Sequence, residues 1–199
     1  PMIMDLILWR HADAEDLVPD GDDLTRSLTP RGEKQANRMA AWLDRQMPEG
    51  TRIYSSPARR CEQTVLALGR KYKTRPELAP DGTVGQLLEL AQWPSAKAPV
   101  LVVGHQPMLG EAIAQLLNFR HDSCPVRKGA AWWIRCRERD GHQQTVLLAV
   151  QSPDGGEAYV RSASLKVDAL GMLRTGSGLP VIGNGGPISV PPEQKIEIG

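Results

Sequence analysis

Two short apolar runs, each delivering a histidine, constrain this chain more than any other feature of it. Leu6-Ile7-Leu8-Trp9 leads into Arg10-His11, and Val100-Leu101-Val102-Val103 leads through Gly104 into His105. Continuous apolar runs of this length, bounded by turn residues, read as strands of a parallel sheet covered on both faces. In open α/β sheets, ligands bind beyond the carboxyl ends of such strands. Two imidazoles delivered to that edge, one with an arginine beside it, describe a site for an anion. A single histidine after a strand is most often structural or exposed, so the pair alone leaves both readings open.

A third segment tips the balance. Arg52 to Tyr54 is a short strand candidate, followed by Ser55-Ser56-Pro57-Ala58-Arg59-Arg60-Cys61-Glu62-Gln63-Thr64. Ser56-Pro57 has the form of a helix start, with a hydroxyl at the cap and proline at the first helical position. Arginines there face the positive end of the helix dipole, which is unfavourable unless an anion is held in the same place. As an arbitrary pair, Arg59 and Arg60 would be solvated helix charges. Here they follow a strand end, as both histidines do, and the three stretches are expected to converge.

With those residues in view, the chain resembles the histidine phosphatase superfamily. Arg10-His11, Ser56-Pro57-x-x-Arg60-x-x-Gln63-Thr64 and Gly104-His105 match its three signatures in order. Arg10-His11-Ala12-Asp13-Ala14-Glu15, Arg26-Ser27-Leu28-Thr29-Pro30-Arg31-Gly32 and Gly104-His105-Gln106-Pro107 resemble the SixA-like branch, the bacterial phosphohistidine phosphatases. The resemblance covers approximately residues 3–152. It implies a phosphoglycerate-mutase-like fold, with His11 as the nucleophile that takes the phosphoryl group. Arg10, Arg60 and His105 would bind phosphate, and no cofactor is implied.

The physical chemistry agrees with those roles. A nucleophilic imidazole must be neutral, and an unperturbed histidine is already largely so at pH 7. Arg10 and Arg60 nearby disfavour a further positive charge. Their guanidiniums also suit the forked grip on phosphate oxygens better than lysine would, and His105 is expected to donate to a phosphoryl oxygen. Two arginines and two histidines supply the charge that Mg²⁺ often brings to phosphoryl transfer. No carboxylate cluster stands ready for a metal, so metal-independent catalysis is expected.

The proton donor for the leaving group is less legible. Phosphomonoester members of the superfamily use a carboxylate from a loop beyond the second helix. Glu77 and Asp81 are the nearby candidates, neither in a recognisable pattern, and Glu77 reads as the end of a structural strand. That departure favours an imidazole leaving group, because a phosphoramidate can be protonated on nitrogen, whereas an alkoxide needs an acid. The expected substrate is thus phosphohistidine on a signalling or phosphotransfer protein. A small-molecule phosphomonoesterase, acting on a phosphosugar or a nucleotide-related ester, is the alternative. A non-catalytic phosphoprotein-binding domain is a third, disfavoured because a binding module need not keep the nucleophile. Little room for a helical cap lies between Gln63 and His105, and a short rim suits a protein-borne phosphate.

The rest of the chain sets the frame. Its 199 residues fit one domain with a good core, or a domain plus an extension, and a formal charge of +1 argues against an extended nucleic-acid surface. Cys61, Cys124 and Cys136 lack metal-ligand spacing and read as reduced thiols of a cytoplasmic protein. The first strand leaves no room for a signal peptide, and no run approaches membrane-spanning length. Asp13 to Arg26, with Asp20-Gly21-Asp22-Asp23, reads as a solvated acidic loop. Helices are expected from Thr29-Pro30, from Ser56 through Tyr72, over Val84 to Leu90 and after Pro107. Ala130 to Cys136 and Thr145 to Val150 read as an antiparallel pair turning at Asp140-Gly141. Of Trp132 and Trp133, one indole is expected in the core and the other facing solvent or the tail. This alternation predicts an α/β three-layer sandwich with a mainly parallel central sheet. The domain is expected over 1–152. The Gly/Pro-rich stretch 153–199 reads as an extension packed on or beside it, with Ala158-Tyr159-Val160 and Leu179 to Ile182 as edge strands or staples.

Overall fold

β1 (Ile3–Arg10) lies inside the main sheet, and its neighbours explain where both histidines emerge. The computed structural model describes residues 2–154 and the stretches 157–159, 166–167, 173–174 and 196–197. On one side of β1, the strands β2 (Arg52–Ser55), β3 (Lys73–Thr74) and β4 (Val100–Gly104) run parallel to it in the order β1-β4-β2-β3. On the other side, β5 (Ala131–Arg139) and β6 (His142–Gln151) are antiparallel. β6 also pairs with β7 (Glu157–Tyr159), while β8 (Lys166–Val167) and β9 (Leu173–Arg174) pair with each other. β10 (Ile196–Glu197) adds to the free side of β6.

The register places the site. Arg10 pairs with Gly104, so the next residue of each strand, His11 and His105, leaves the sheet at the same edge. Their ring centroids are 5.4 Å apart. Ser55 pairs with Val103, and the Ser56 amide donates to the Val103 carbonyl at 3.0 Å, bringing the segment that starts at Ser56 to that edge.

Both faces of the sheet are covered, as the continuous apolar runs require. Met4, Leu6 and Leu8 pack with Leu87 of α3 (Val84–Leu90) and Leu109 and Ile113 of α4 (Met108–Leu116). The alternate residues Ile7 and Trp9 pack with Met39 and Leu43 of α1 (Pro30–Gln46) and Cys61 and Val65 of α2 (Arg59–Leu66). Each fully buried Leu or Ile contributes about 1.5–3 kcal/mol relative to exposure. The result is a three-layer α/β sandwich, parallel on the half that carries the site.

α1 starts where the sequence places it. Thr29 Oγ1 accepts from the Gly32 amide at 2.9 Å and Pro30 holds the first helical position. Gly32 is required there, because a Cβ would collide with the Asp13 carbonyl of the loop after β1. The Asp140-Gly141 turn has both residues at positive φ, the type I′ geometry that suits a two-residue hairpin.

Four expectations are corrected. α2 starts at Arg59, not at Pro57, because the Ser56 hydroxyl is engaged by His105 and the Ala58 amide instead of capping the first turn. It ends at Leu66, and the chain turns through Gly69 at φ +70°, so Tyr72 reaches the core from beyond the helix. Trp132 and Trp133 are both buried, on opposite faces, since β5 is an interior strand with helices on each side. Glu77 sits in a 3-10 turn, Pro76–Leu78, and not at a strand end. In the stretch 153–199, Ala158 and Tyr159 fall in β7 as an edge strand. Val160, Leu179 to Ile182 and most of the Gly/Pro-rich sequence lie outside the described residues.

Candidate active site

His11 is 6% exposed, and its Nδ1 lies 2.7 Å from the Ala12 carbonyl oxygen. A carbonyl only accepts, so Nδ1 carries the proton and Nε2 keeps its lone pair. Burial is the largest influence on this ring and holds its pKa down at about 4; the Ala12 bond acts the other way, and Arg60, Arg10 and Arg26 lower it further. The arginines alone are the smaller part of the explanation. His11 is thus a neutral imidazole with a nucleophilic nitrogen in one defined tautomer.

Arg10 donates from Nη1 to the Val126 carbonyl at 2.7 Å. Arg60, on the first turn of α2, is 3% exposed and donates from Nη1 to the Asp23 carbonyl at 2.8 Å. Its Nη2 contacts both Asp23 Oδ2 at 3.1 Å and His105 Nδ1 at 3.2 Å. The Nε atoms of Arg10 and Arg60 are buried without a partner among the described residues. A buried donor left unsatisfied costs about 1–3 kcal/mol, and a phosphate oxygen is the acceptor that suits a guanidinium. Arg59 is exposed and donates to the Thr25 carbonyl at 3.1 Å.

The remaining signature residues hold this arrangement in place. Thr64 Oγ1 donates to the Arg60 carbonyl at 2.7 Å and accepts from the Ala12 amide at 3.1 Å, tying α2 to the loop that follows His11. Gln63 Oε1 accepts from the Leu28 amide at 2.7 Å, anchoring the loop that leads into α1. The sequence places both side by side with Arg60 but says nothing of these long-range bonds.

Both ring nitrogens of His105 have partners within the protein. Since Arg60 Nη2 can only donate, His105 Nδ1 is the acceptor, and Nε2 donates to Ser56 Oγ at 2.8 Å. Burial, followed by the charge of Arg60, holds its pKa down at about 3. In this state His105 orients Arg60. Donation to a phosphoryl oxygen from Nδ1 requires a proton on that nitrogen, brought by a switch of tautomer with the Ser56 hydroxyl donating to Nε2, or by a second protonation that a bound dianion would favour. Cys61 Sγ, 3.4 Å from His105 Nε2, is no rival nucleophile, because burial pushes its thiol up to about 12.

Asp23 is the site residue that sequence reasoning missed. The acidic loop is not simply solvated: its 3-10 turn, Asp23–Thr25, lies against α2, with Asp23 bonded to Arg60 and, at 2.9 Å, to Arg26 Nε. The only local signal was the Asp23-x-x-Arg26 spacing. Glu77 and Asp81, by contrast, have no hydrogen bond or ion pair to His11, Arg10, Arg60 or His105 among the described residues, and Asp81 is exposed. Among the described residues, no group of His, Cys, Asp or Glu is arranged to hold a metal ion.

The two depressed imidazoles make stability depend on pH. Below about pH 6.5 the unfolded chain protonates both rings, whereas the folded chain leaves them neutral until about pH 4 for His11 and pH 3 for His105. The stabilisation is therefore complete above pH 6.5 and is lost as pH falls toward 4, at up to about 1.4 kcal/mol per pH unit for each histidine. Thermal melts from pH 7 to 4 should show this decline, and His11→Asn should reduce its slope by close to one proton. An unchanged slope in that variant would contradict the assignment.

The class of protein follows from this arrangement and from its likeness to known chains. Residues 6–81 match the family model of the histidine phosphatase superfamily (branch 1). The chain belongs to that superfamily and is a phosphatase of the histidine type. Phosphohistidine phosphatase SixA of Escherichia coli (strain K12) is 35% identical over 121 residues, 57% of this chain and 74% of that protein. The solved structure of the protein histidine phosphatase SixA complexed with tungstate matches at a TM-score of 0.59 and 27% identity, over 76% of this chain and 98% of that one. A separate likeness joins a shorter stretch to the flagellar basal-body rod protein FlgF of Escherichia coli (strain K12). It is 52% identical over 56 residues, 28% of this chain and 22% of FlgF, so the chain spans under a quarter of that rod protein. Sequence reasoning had found no relative for any such stretch.

Proposed function

We propose that this chain hydrolyses phosphohistidine carried on a signalling or phosphotransfer protein, by way of a phosphohistidine intermediate on His11. The observation that carries the reading is the state of His11. It is buried and neutral, its Nδ1 proton is spent on Ala12, and two arginines with unpartnered Nε donors stand beside it. Nε2 of His11 attacks phosphorus in line; the new N–P bond forms as the bond to the substrate imidazole breaks, and that imidazole leaves with the proton it carried. Arg10 and Arg60 bear the charge on the phosphoryl oxygens. Water then attacks the phosphorus, the His11 N–P bond breaks, and inorganic phosphate leaves. Positioning and electrostatic stabilisation do most of the work, without a metal.

Two features support a protein-borne phosphoramidate. Neither Glu77 nor Asp81 is joined to the site, so an alkoxide leaving group has no acid from them. The loop carrying Asp23 also exposes apolar side chains, with Leu17 at 53%, Val18 at 62% and Leu24 at 43%, a surface that a macromolecular substrate can cover. The three cysteines are free and buried, which fits the reducing cytoplasm. No described helix is long and apolar enough to cross a membrane.

The test is side-by-side kinetics, with EDTA present, on a phosphohistidine protein, an activated aryl phosphate and a panel of sugar and nucleotide monoesters. Phosphohistidine and the aryl ester should be cleaved well and unactivated esters poorly, with Glu77→Gln and Asp81→Asn close to wild type. Sugar phosphates as the best substrates, with one of these variants inactive, would instead establish the small-molecule phosphomonoesterase reading.

A further inference from the structure

Asp23 occupies Arg60 in a way that the chemistry above does not use. Arg60 Nη1 donates to the Asp23 backbone carbonyl, and Nη2 is shared between Asp23 Oδ2 and His105 Nδ1. The carboxylate is therefore an anion already seated on the arginine that must grip the phosphoryl group. Arg26 holds it there from the other side at 2.9 Å, and the charge of Asp23 is felt at His105. The Asp23 side chain is 39% exposed while that of Arg60 is 4% exposed, so the carboxylate sits at the mouth of the site with the guanidinium behind it.

We infer that Asp23 is an internal competitor for phosphate: its carboxylate covers Arg60 in the free protein and gives way when a phosphoryl group arrives. This rests on the reading of His11, Arg10, Arg60 and His105 as a phosphate site. Asp23 is unsuited to be the missing acid, because its bonds to Arg26 and Arg60 outweigh burial and hold its carboxyl below the usual range. A ligand whose binding form is only fractionally populated binds more weakly by that fraction. Inorganic phosphate, which brings only the anion, meets the full competition. A phosphoprotein brings contacts to the exposed apolar residues of the same loop as well. The device therefore weakens product retention and favours large substrates over small ones. Asp23 is a positioning residue that sets affinity, and not a catalytic one.

The measurement is the competitive inhibition constant of inorganic phosphate, checked by calorimetry, for wild type, Asp23→Asn and Asp23→Ala. Both variants should bind phosphate about three- to tenfold more tightly, the effect of freeing a site that is occupied for most of the time. Cleavage of small aryl phosphates should show a lower KM. A purely structural role would instead weaken phosphate binding and lower the melting temperature, and unchanged or weaker binding overturns the inference. If wild type binds no phosphate at all, the phosphate-site reading fails along with it. If both variants lose their fold, hydrogen exchange on the wild type decides. The Leu24, Thr25 and Arg26 amides, now bonded to Asp22 and Asp23, should exchange faster with saturating phosphate, and equal or slower exchange refutes the inference.

Discussion

His11→Ala should eliminate turnover, by about 10⁴-fold or more, on every substrate the wild type cleaves, while the protein stays folded. The magnitude is that of removing a covalent nucleophile, which leaves only binding and electrostatic stabilisation behind. His11 lies just past the end of β1, not within the apolar face of a strand. The neighbouring backbone is held by bonds that do not involve its ring, from His11 N to the Gly104 carbonyl and from Gly129 N to the His11 carbonyl. Loss of the imidazole also removes a group whose burial opposes its protonation, so melting near pH 5 should suffer less than melting at pH 7. Wild type quenched during turnover should yield an acid-labile phosphoenzyme, and the variant should yield none. Substantial turnover by a folded His11→Ala protein would rule out the mechanism.

The second large effect separates two adjacent arginines. Arg60→Ala should cost about 10²–10³-fold in kcat/KM, roughly 3–4 kcal/mol, the scale of losing one preorganised donor to a transition-state anion. Arg59→Ala should remain within about twofold of wild type, since an exposed polar contact of this kind is worth little. Arg60 is buried against His105 and Asp23, whereas Arg59 turns outward to the Thr25 carbonyl. Arg60→Ala does more than remove a charge, because it also leaves His105 Nδ1 without its donor. Arg60→Lys should recover only part of the loss, for lysine keeps the charge without the forked geometry. The opposite ranking of Arg59 and Arg60 in matched kinetics would mean that the register of α2 is wrong.

Much of this was legible in the linear sequence, for identifiable reasons. Runs such as Leu6 to Trp9 and Val100 to Val103 are apolar at every position, a pattern tolerated only where both faces of a strand are covered. From that alone follow the parallel half of the sheet, the helices on each side and the common edge at which His11 and His105 emerge. The Arg60-x-x-Gln63-Thr64 spacing likewise singled out the arginine that the fold buries beside His105. Trp132 and Trp133 were misread because alternation reports which residues share a face, and not whether a face is covered. That depends on α1 and α4 and on the interior place of β5, which lie far away in the chain.

What the sequence determined by itself, then, is the set of arginines and histidines proposed for the chemistry and the sheet edge that gathers them, since local periodicity and spacing encode both. The tertiary structure alone decided the state in which those residues are held. The Nδ1 proton of His11 is set by the Ala12 carbonyl, and its neutrality comes first from burial. His105 accepts from Arg60 and donates to Ser56, and Asp23 reaches Arg60 from 37 residues away. Tautomer, protonation and counter-ion depend on distances of about 3 Å between groups remote in the chain, and no local pattern of residue types contains those distances.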